Sequence, residues 1–231
     1  MGLTIHYTIR LTPRRHVLAA EFVETVRRQI VRRRLGQVSP LHDAGKGPAG
    51  GSQFVCVNRK ADQWAEIDPW SGALFTLEVG KGCEPAVMGL CCYPPAYRLQ
   101  PVPQLRGWNF SGFAKTQYAS LHGWEHFRRC HLAVLTALEI WRELGASVKI
   151  NDEGGYWPRR SERTLRRELD EMNGIVAGMA GAMRDATEEA GGKRGAIQSP
   201  VFGHPQFERL EAEGVARHGG KFATAVAAVR R

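Results

Sequence analysis

Hydrophobic and polar positions alternate at the start of the chain. From Gly2 to Arg10, Leu3, Ile5, Tyr7 and Ile9 fall on one side and Thr4, His6 and Thr8 on the other, which predicts a β-strand with one face buried. The period then changes. Thr12-Pro13 has the form of a helix N-cap followed by proline in the first turn. Ala19, Phe22, Val23, Val26 and Ile30 recur at helical spacing as far as Leu35, and Gly36 ends the run. Residues 39–52 are rich in Gly and Pro and read as a loop. Strand signals return at Gln53–Val57 and Ala73–Val79, with a turn at 68–72. Cys83–Tyr93 carries a weaker, short-strand signal. The four prolines of 94–103 exclude a central strand, and Trp108–Ala119 reads as a strand.

Phe127, Cys130, Val134, Leu138 and Trp141 then mark the inner face of a helix predicted over about His122–Leu144. Ser147–Ile150 is a short strand. Ser161 caps a last long helix whose stripe is Leu165, Leu169, Met172, Val176, Met179 and Met183. The methionines fill core space in this reading rather than line a cofactor box. Beyond Gly191 the pattern weakens, leaving two short helices, Gln206–Glu213 and Lys221–Arg230. The order β-α-β-β-β-α-β-α predicts an α+β fold, a mixed, largely antiparallel sheet with helices mainly on one face. The domain spans residues 1–187, and 188–231 is a linker with a short helical tail.

Composition narrows the function classes. The chain has 231 residues and five cysteines, an odd number with two adjacent. No run is long enough to span a membrane and the first residues lack a signal-peptide pattern, so a reducing, cytoplasmic setting without a disulfide framework is expected. The formal net charge is +9. Residues 1–34 hold eight arginines against Glu21 and Glu24, which makes Arg27, Arg28, Arg32, Arg33 and Arg34 a candidate nucleic-acid surface. The excess of arginine over lysine, with abundant Ala and Gly, is also what a GC-rich genome would produce, so charge alone predicts weak, salt-sensitive binding at most.

Two strings carry candidate chemistry. His122-Gly-Trp-Glu125-His126 matches H-x-x-E-H, in which two histidines four apart on a helix share a zinc ion and the glutamate is general base. Gly123 interrupts it, no third ligand follows, and both rings fall toward the polar side of the helix. His122 and His126 are therefore weak candidates, and neither metal nor cofactor is assigned. Asn151-Asp152-Glu153-Gly154-Gly155 follows a strand and places two carboxylates where α/β proteins tend to bind ligands. Lys115 and Gln117 share one face of the preceding strand, Thr116 and Tyr118 the other. His131 leans toward the buried side of its helix. No dinucleotide, P-loop or hydrolase-elbow motif occurs.

Lys115-Thr-Gln-Tyr-Ala119, Arg129-Cys-His131, Asp152-Glu-Gly-Gly-Tyr-Trp157, Gly2-Leu-Thr-Ile-His-Tyr7 and Gly82-Cys-Glu-Pro85 resemble strings of a family of uncharacterised bacterial proteins. The resemblance covers residues 1–187 and implies no activity. The position of His126 is not histidine in that family. The leading expectation is a small, hydrolase-like enzyme whose site gathers Lys115, His131, Asp152 and Glu153 around a small-molecule or polyanionic ligand. The alternative is a nucleic-acid-binding or protein-interaction module that uses the arginine-rich first helix, and a purely structural role comes third.

Overall fold

The computed structural model describes residues 2–11, 19–44, 55–60, 63–67, 69–93, 107–191 and 197–229, with backbone alone for 55–67 and 223–229. Its strands are β1 (Thr4–Leu11), β2 (Gln37–Val38), β3 (His42–Asp43), β4 (Val55–Lys60), β5 (Gln63–Ile67), β6 (Ser71–Glu78), β7 (Ala86–Cys92), β8 (Trp108–Lys115) and β9 (Ser147–Asp152). Its helices are α1 (Ala19–Arg32), α2 (Trp124–Glu143), α3 (Glu162–Glu189) and α4 (Phe207–Val229), with 3₁₀ turns at Gln117–His122 and Pro200–Gly203.

The expected α+β architecture is present. Seven strands form one open sheet in the order β2-β6-β7-β8-β1-β9, with β3 also on β6, and every ladder is antiparallel. The β4–β5 hairpin is a separate two-stranded unit. The alternation of β1 has its expected consequence: Ile5, Tyr7, Ile9 and Leu11 are buried, while His6 and Arg10 are exposed. α1 and α2 cover the buried side. Val23, Val26 and Ile30 of α1 and Phe127, Val134, Leu138 and Trp141 of α2 are all fully buried. The Trp141 ring stacks on Phe75 of β6, with centroids 6.3 Å apart and planes 3° apart.

β7 and β8 are paired only at Cys91–Asn109 and Cys92–Trp108 and then diverge. Tyr7 fills the resulting gap. Its register partner on β8 is Gly112, where a Cβ would lie 3.0 Å from the Tyr7 hydroxyl. The bare glycine lets the phenol cross β8 and donate a 2.6 Å hydrogen bond to the Val87 carbonyl of β7. A main-chain acceptor without a ladder partner is thereby satisfied.

Several sequence readings are corrected. The strand expected over Trp108–Ala119 ends at Lys115, and Gln117 begins a 3₁₀ turn. Gln117 turns inward, because its Oε1 accepts from Leu3 N at 3.1 Å and its Nε2 donates to Asn173 Oδ1 at 2.9 Å. Lys115 and Gln117 therefore share no strand face. The stretch 83–93 supplies a full strand, β7, and β5 has no counterpart among the expected elements. Thr12 and Pro13 lie outside the described residues.

The long helix begins at its expected cap, with Ser161 Oγ accepting from Thr164 N at 3.2 Å. Its inner face differs from the expected stripe. Leu165, Leu169 and Val176 are buried with Asn173, Ala177 and Ala180, whereas Met172, Met179 and Met183 are half-buried. The two expected tail helices are one continuous helix, α4, packed along α3 and enclosing a small second core of Val176, Ala177, Ala180, Val201 and Leu210. A Cβ on Gly214 would sit 1.9 Å from the Gly174 carbonyl oxygen, so the two helices touch backbone to backbone.

Candidate functional site

The expected polar site is divided by the pleat of the sheet. Successive residues of a strand point to opposite faces, and Asp152 and Glu153 are consecutive. Asp152 points to the helix side, where its Oδ1 lies 3.1 Å from His131 Nε2 and both side chains are fully buried. His131 Nε2 makes no well-directed hydrogen bond, so its contact with Asp152 is close without being one. His131 Nδ1 is 2.8 Å from Thr116 Oγ1. Asp152 also accepts from Gly154 N at 2.8 Å and from Trp157 N at 2.9 Å. Burial opposes ionisation of this carboxyl, yet it is held below its ordinary range by His131 and by the Trp157 and Gly154 amides. With its oxygens engaged and its imidazole enclosed, the cluster fastens the 152–157 loop and the 3₁₀ turn to α2.

Glu153 and Lys115 lie on the other face. Glu153 Oε2 accepts from Thr4 N at 2.9 Å, and its Oε1 is 3.3 Å from His6 Nε2. Lys115 Nζ pairs with Glu84 at 3.1 Å. His131 and Asp152 thus come together, and the sheet separates them from Lys115 and Glu153. A four-residue site is corrected to an enclosed pair within and two surface ion pairs without.

His122 and His126 do meet, edge to face at 5.2 Å. Glu125 is exposed. His126 is already engaged by the Lys81 carbonyl oxygen at 3.0 Å and by Arg129 at 3.2 Å. Among the described residues no three His, Cys, Asp or Glu side chains gather into a set that could hold a metal ion.

The arginines of α1 are partly neutralised. Arg27 and Arg28 both bond Glu24, at 2.7 and 2.8 Å, and Arg27 above all draws the Glu24 carboxyl down to about 2. Arg33 bonds Glu143 at 2.6 Å. Arg32 and Arg34 are exposed just past the last buried turn.

A feature that sequence reading missed lies on the helix-free face of the sheet. His6, Thr8 and Arg10 of β1, Ser111 and Phe113 of β8, and Lys149 and Asn151 of β9 project there by register. Six of these seven, Arg10 apart, line a shallow groove of about 370 Å³. Phe113 is 55% exposed, and its ring lies 6.2 Å from that of its cross-strand partner His6. Thr8 and Ser111 hydroxyls are 3.0 Å apart in the floor. Lys149 lines the groove and Arg10 projects from the same face four residues from His6 along β1, both without an ion-pair partner among the described residues. The alternation of β1 was a readable signal for this face, but nothing local in sequence shows that Phe113 would stand on it.

No family model, characterised protein or solved structure matches this chain. The reading of its function therefore rests on this geometry. No helix among the described residues is long and apolar enough to cross a membrane.

Proposed function

We propose that the open face of the sheet binds single-stranded nucleic acid. The observation that carries the reading is the exposed Phe113 ring beside His6 in a groove that Lys149 also lines, with Arg10 further along the same face and neither cation ion-paired among the described residues. An aromatic ring left in water on a sheet face presents a stacking surface to any base. Stacking contributes about 1–3 kcal/mol per base without demanding a sequence. Arg10 and Lys149 supply phosphate contacts, and the net charge of +9 favours a polyanion over a neutral ligand. Thr8, Ser111 and Asn151 offer hydroxyl and amide groups to base edges or sugars. The arginines of α1 lie on the opposite side of the sheet. In this reading they add to the general attraction and not to the site.

Fluorescence anisotropy with a labelled single-stranded oligonucleotide and its duplex tests the proposal. The single strand is expected to bind more tightly. Phe113→Ala should weaken it by about tenfold, equivalent to about 1.4 kcal/mol. Lys149→Ala should reduce the salt dependence by about one phosphate contact. Arg32→Glu with Arg33→Glu should lower affinity only modestly. Binding unaffected by Phe113→Ala and abolished by the α1 double variant would move the site to the arginine helix, and no binding at low salt would end the reading.

A further inference from the structure

The two ends of the sheet are closed differently. At one end β6 carries only the two-residue strands β2 and β3, short pieces of the kind that blunt a sheet edge. At the other stands β9, a six-residue strand with β1 on one side and no strand on the other among the described residues. The alternation of hydrogen bonds in an antiparallel pair decides which main-chain groups that edge presents. Glu153 N donates to Thr4 O at 3.1 Å, and the register sets Asn151, Lys149 and Ser147 opposite His6, Thr8 and Arg10. These residues bond to β1, so the N–H and C=O groups of Val148, Ile150 and Asp152 point away from it.

The Asp152 carbonyl accepts from Gly155 N at 3.1 Å. The outward groups of Val148 and Ile150 have no main-chain partner among the described residues, and groups left so are held by water or by another strand. The side chains of Val148 and Ile150 lie half-buried on the helix side, in register with Ile9 and Tyr7, while Lys149 and Asn151 are exposed on the open face.

We propose that this edge pairs with the β9 edge of a second copy of the chain, antiparallel about a two-fold axis at Ile150. A two-fold contact sets one patch against itself, so it needs a strand that complements its own reverse. With the axis at Ile150, the N–H of each isoleucine donates to the C=O of the other, and Val148 meets Asp152 of the second copy, whose N–H also points outward. On the helix side the two half-buried isoleucines cover one another. On the open face Lys149 comes opposite Asn151 of the second copy and diagonal to its Glu153, which gives a carboxylate to a lysine without an ion pair among the described residues. Moving the axis to Lys149 sets lysine directly against lysine, which is destabilising. Lys149 thus selects one register while discouraging indiscriminate contacts at the edge. Lys149 and Asn151 also line the groove of the open face, so pairing brings two grooves onto one continuous sheet, with the Phe113 rings five strand spacings, about 24 Å, apart across it.

Sedimentation velocity on the full chain over a wide range of concentration tests this and should show a monomer–dimer equilibrium. Ile150→Pro probes the edge, because Ile150 N faces away from β1 and proline there removes an outward donor without breaking a ladder bond. It should give a monomer at every concentration with the circular dichroism spectrum of wild type. Cysteine variants probe the register independently. In Ile150→Cys the introduced thiols face each other in a hydrogen-bonded pair, with Cα atoms about 5.5 Å apart, which suits a disulfide. Mild oxidation should link them, as read by non-reducing peptide mapping. In Lys149→Cys they stand diagonally, about 7–8 Å apart, and should stay unlinked. A wild-type chain that is monomeric at every concentration would overturn the proposal and leave the edge to an extended segment of another protein. A dimer that survives Ile150→Pro, or one that links through Lys149→Cys and not through Ile150→Cys, would overturn it equally.

Discussion

Asp152 and His131 hold each other in place inside the fold, with Thr116 and two main-chain amides as their other polar partners. Removing one partner of a buried pair leaves an uncompensated group and costs about 3–5 kcal/mol. Asp152→Ala also strands the Gly154 and Trp157 amides. We expect it to lower unfolding free energy by about 3 kcal/mol in urea titration, and His131→Ala to cost a similar amount. The double variant should lose less than the sum. The sign of the pH dependence follows from the depressed folded pKa of Asp152. The unfolded carboxyl titrates at about 3.9, so the stabilisation is complete above that value and is lost as pH falls through the lower folded value. The gap between wild type and Asp152→Ala should close in acid, and a gap that widens would mean that the carboxyl is neutral in the fold. This pairing was half legible in sequence. His131 read as inward from its helical position. The partition of Asp152 from Glu153 needed the pleat, and the placement of Lys115 needed the register of three strands.

Among the elements, β1, α2, β9 and the start of α3 follow from pattern alone, because each has a period that only one conformation satisfies. Tertiary partners overrule pattern elsewhere. Thr116–Ala119 has strand-forming residues, yet it coils because Gln117 satisfies Leu3 N and reaches Asn173. The methionine stripe of α3 yields its inner face to Gly174, Ala177 and Gly178 because α4 lies too close for longer side chains. This contact makes a sharp prediction. Gly214→Val would drive side-chain atoms into the Gly174 carbonyl, so the α3–α4 hairpin should separate. Thermal denaturation should then show a new early transition or a melting temperature lower by many degrees, with the sheet's near-ultraviolet signal kept up to the main transition. A variant that melts like wild type would mean that the helices do not touch there.

Over the whole molecule, stability is unevenly shared. The sheet with α1 and α2 encloses the large core, whereas α4 closes a core of five buried residues. Local opening follows such differences. Hydrogen exchange is therefore expected to proceed faster in Phe207–Leu210 and the rest of α4 than in β1 and β8, and equal protection would refute this division. The place of β1 in the sheet also has a consequence in time. Its neighbours on either side are β8 and β9, and the main chain of Leu3 and Thr4, where it begins, bonds to side chains 114 and 149 residues further along. A ribosome releases β1 well before its partners β8 and β9. Through that interval Ile5, Tyr7, Ile9 and Leu11 form a sticky ribbon without its sheet neighbours, which makes β1 a natural client of a chaperone.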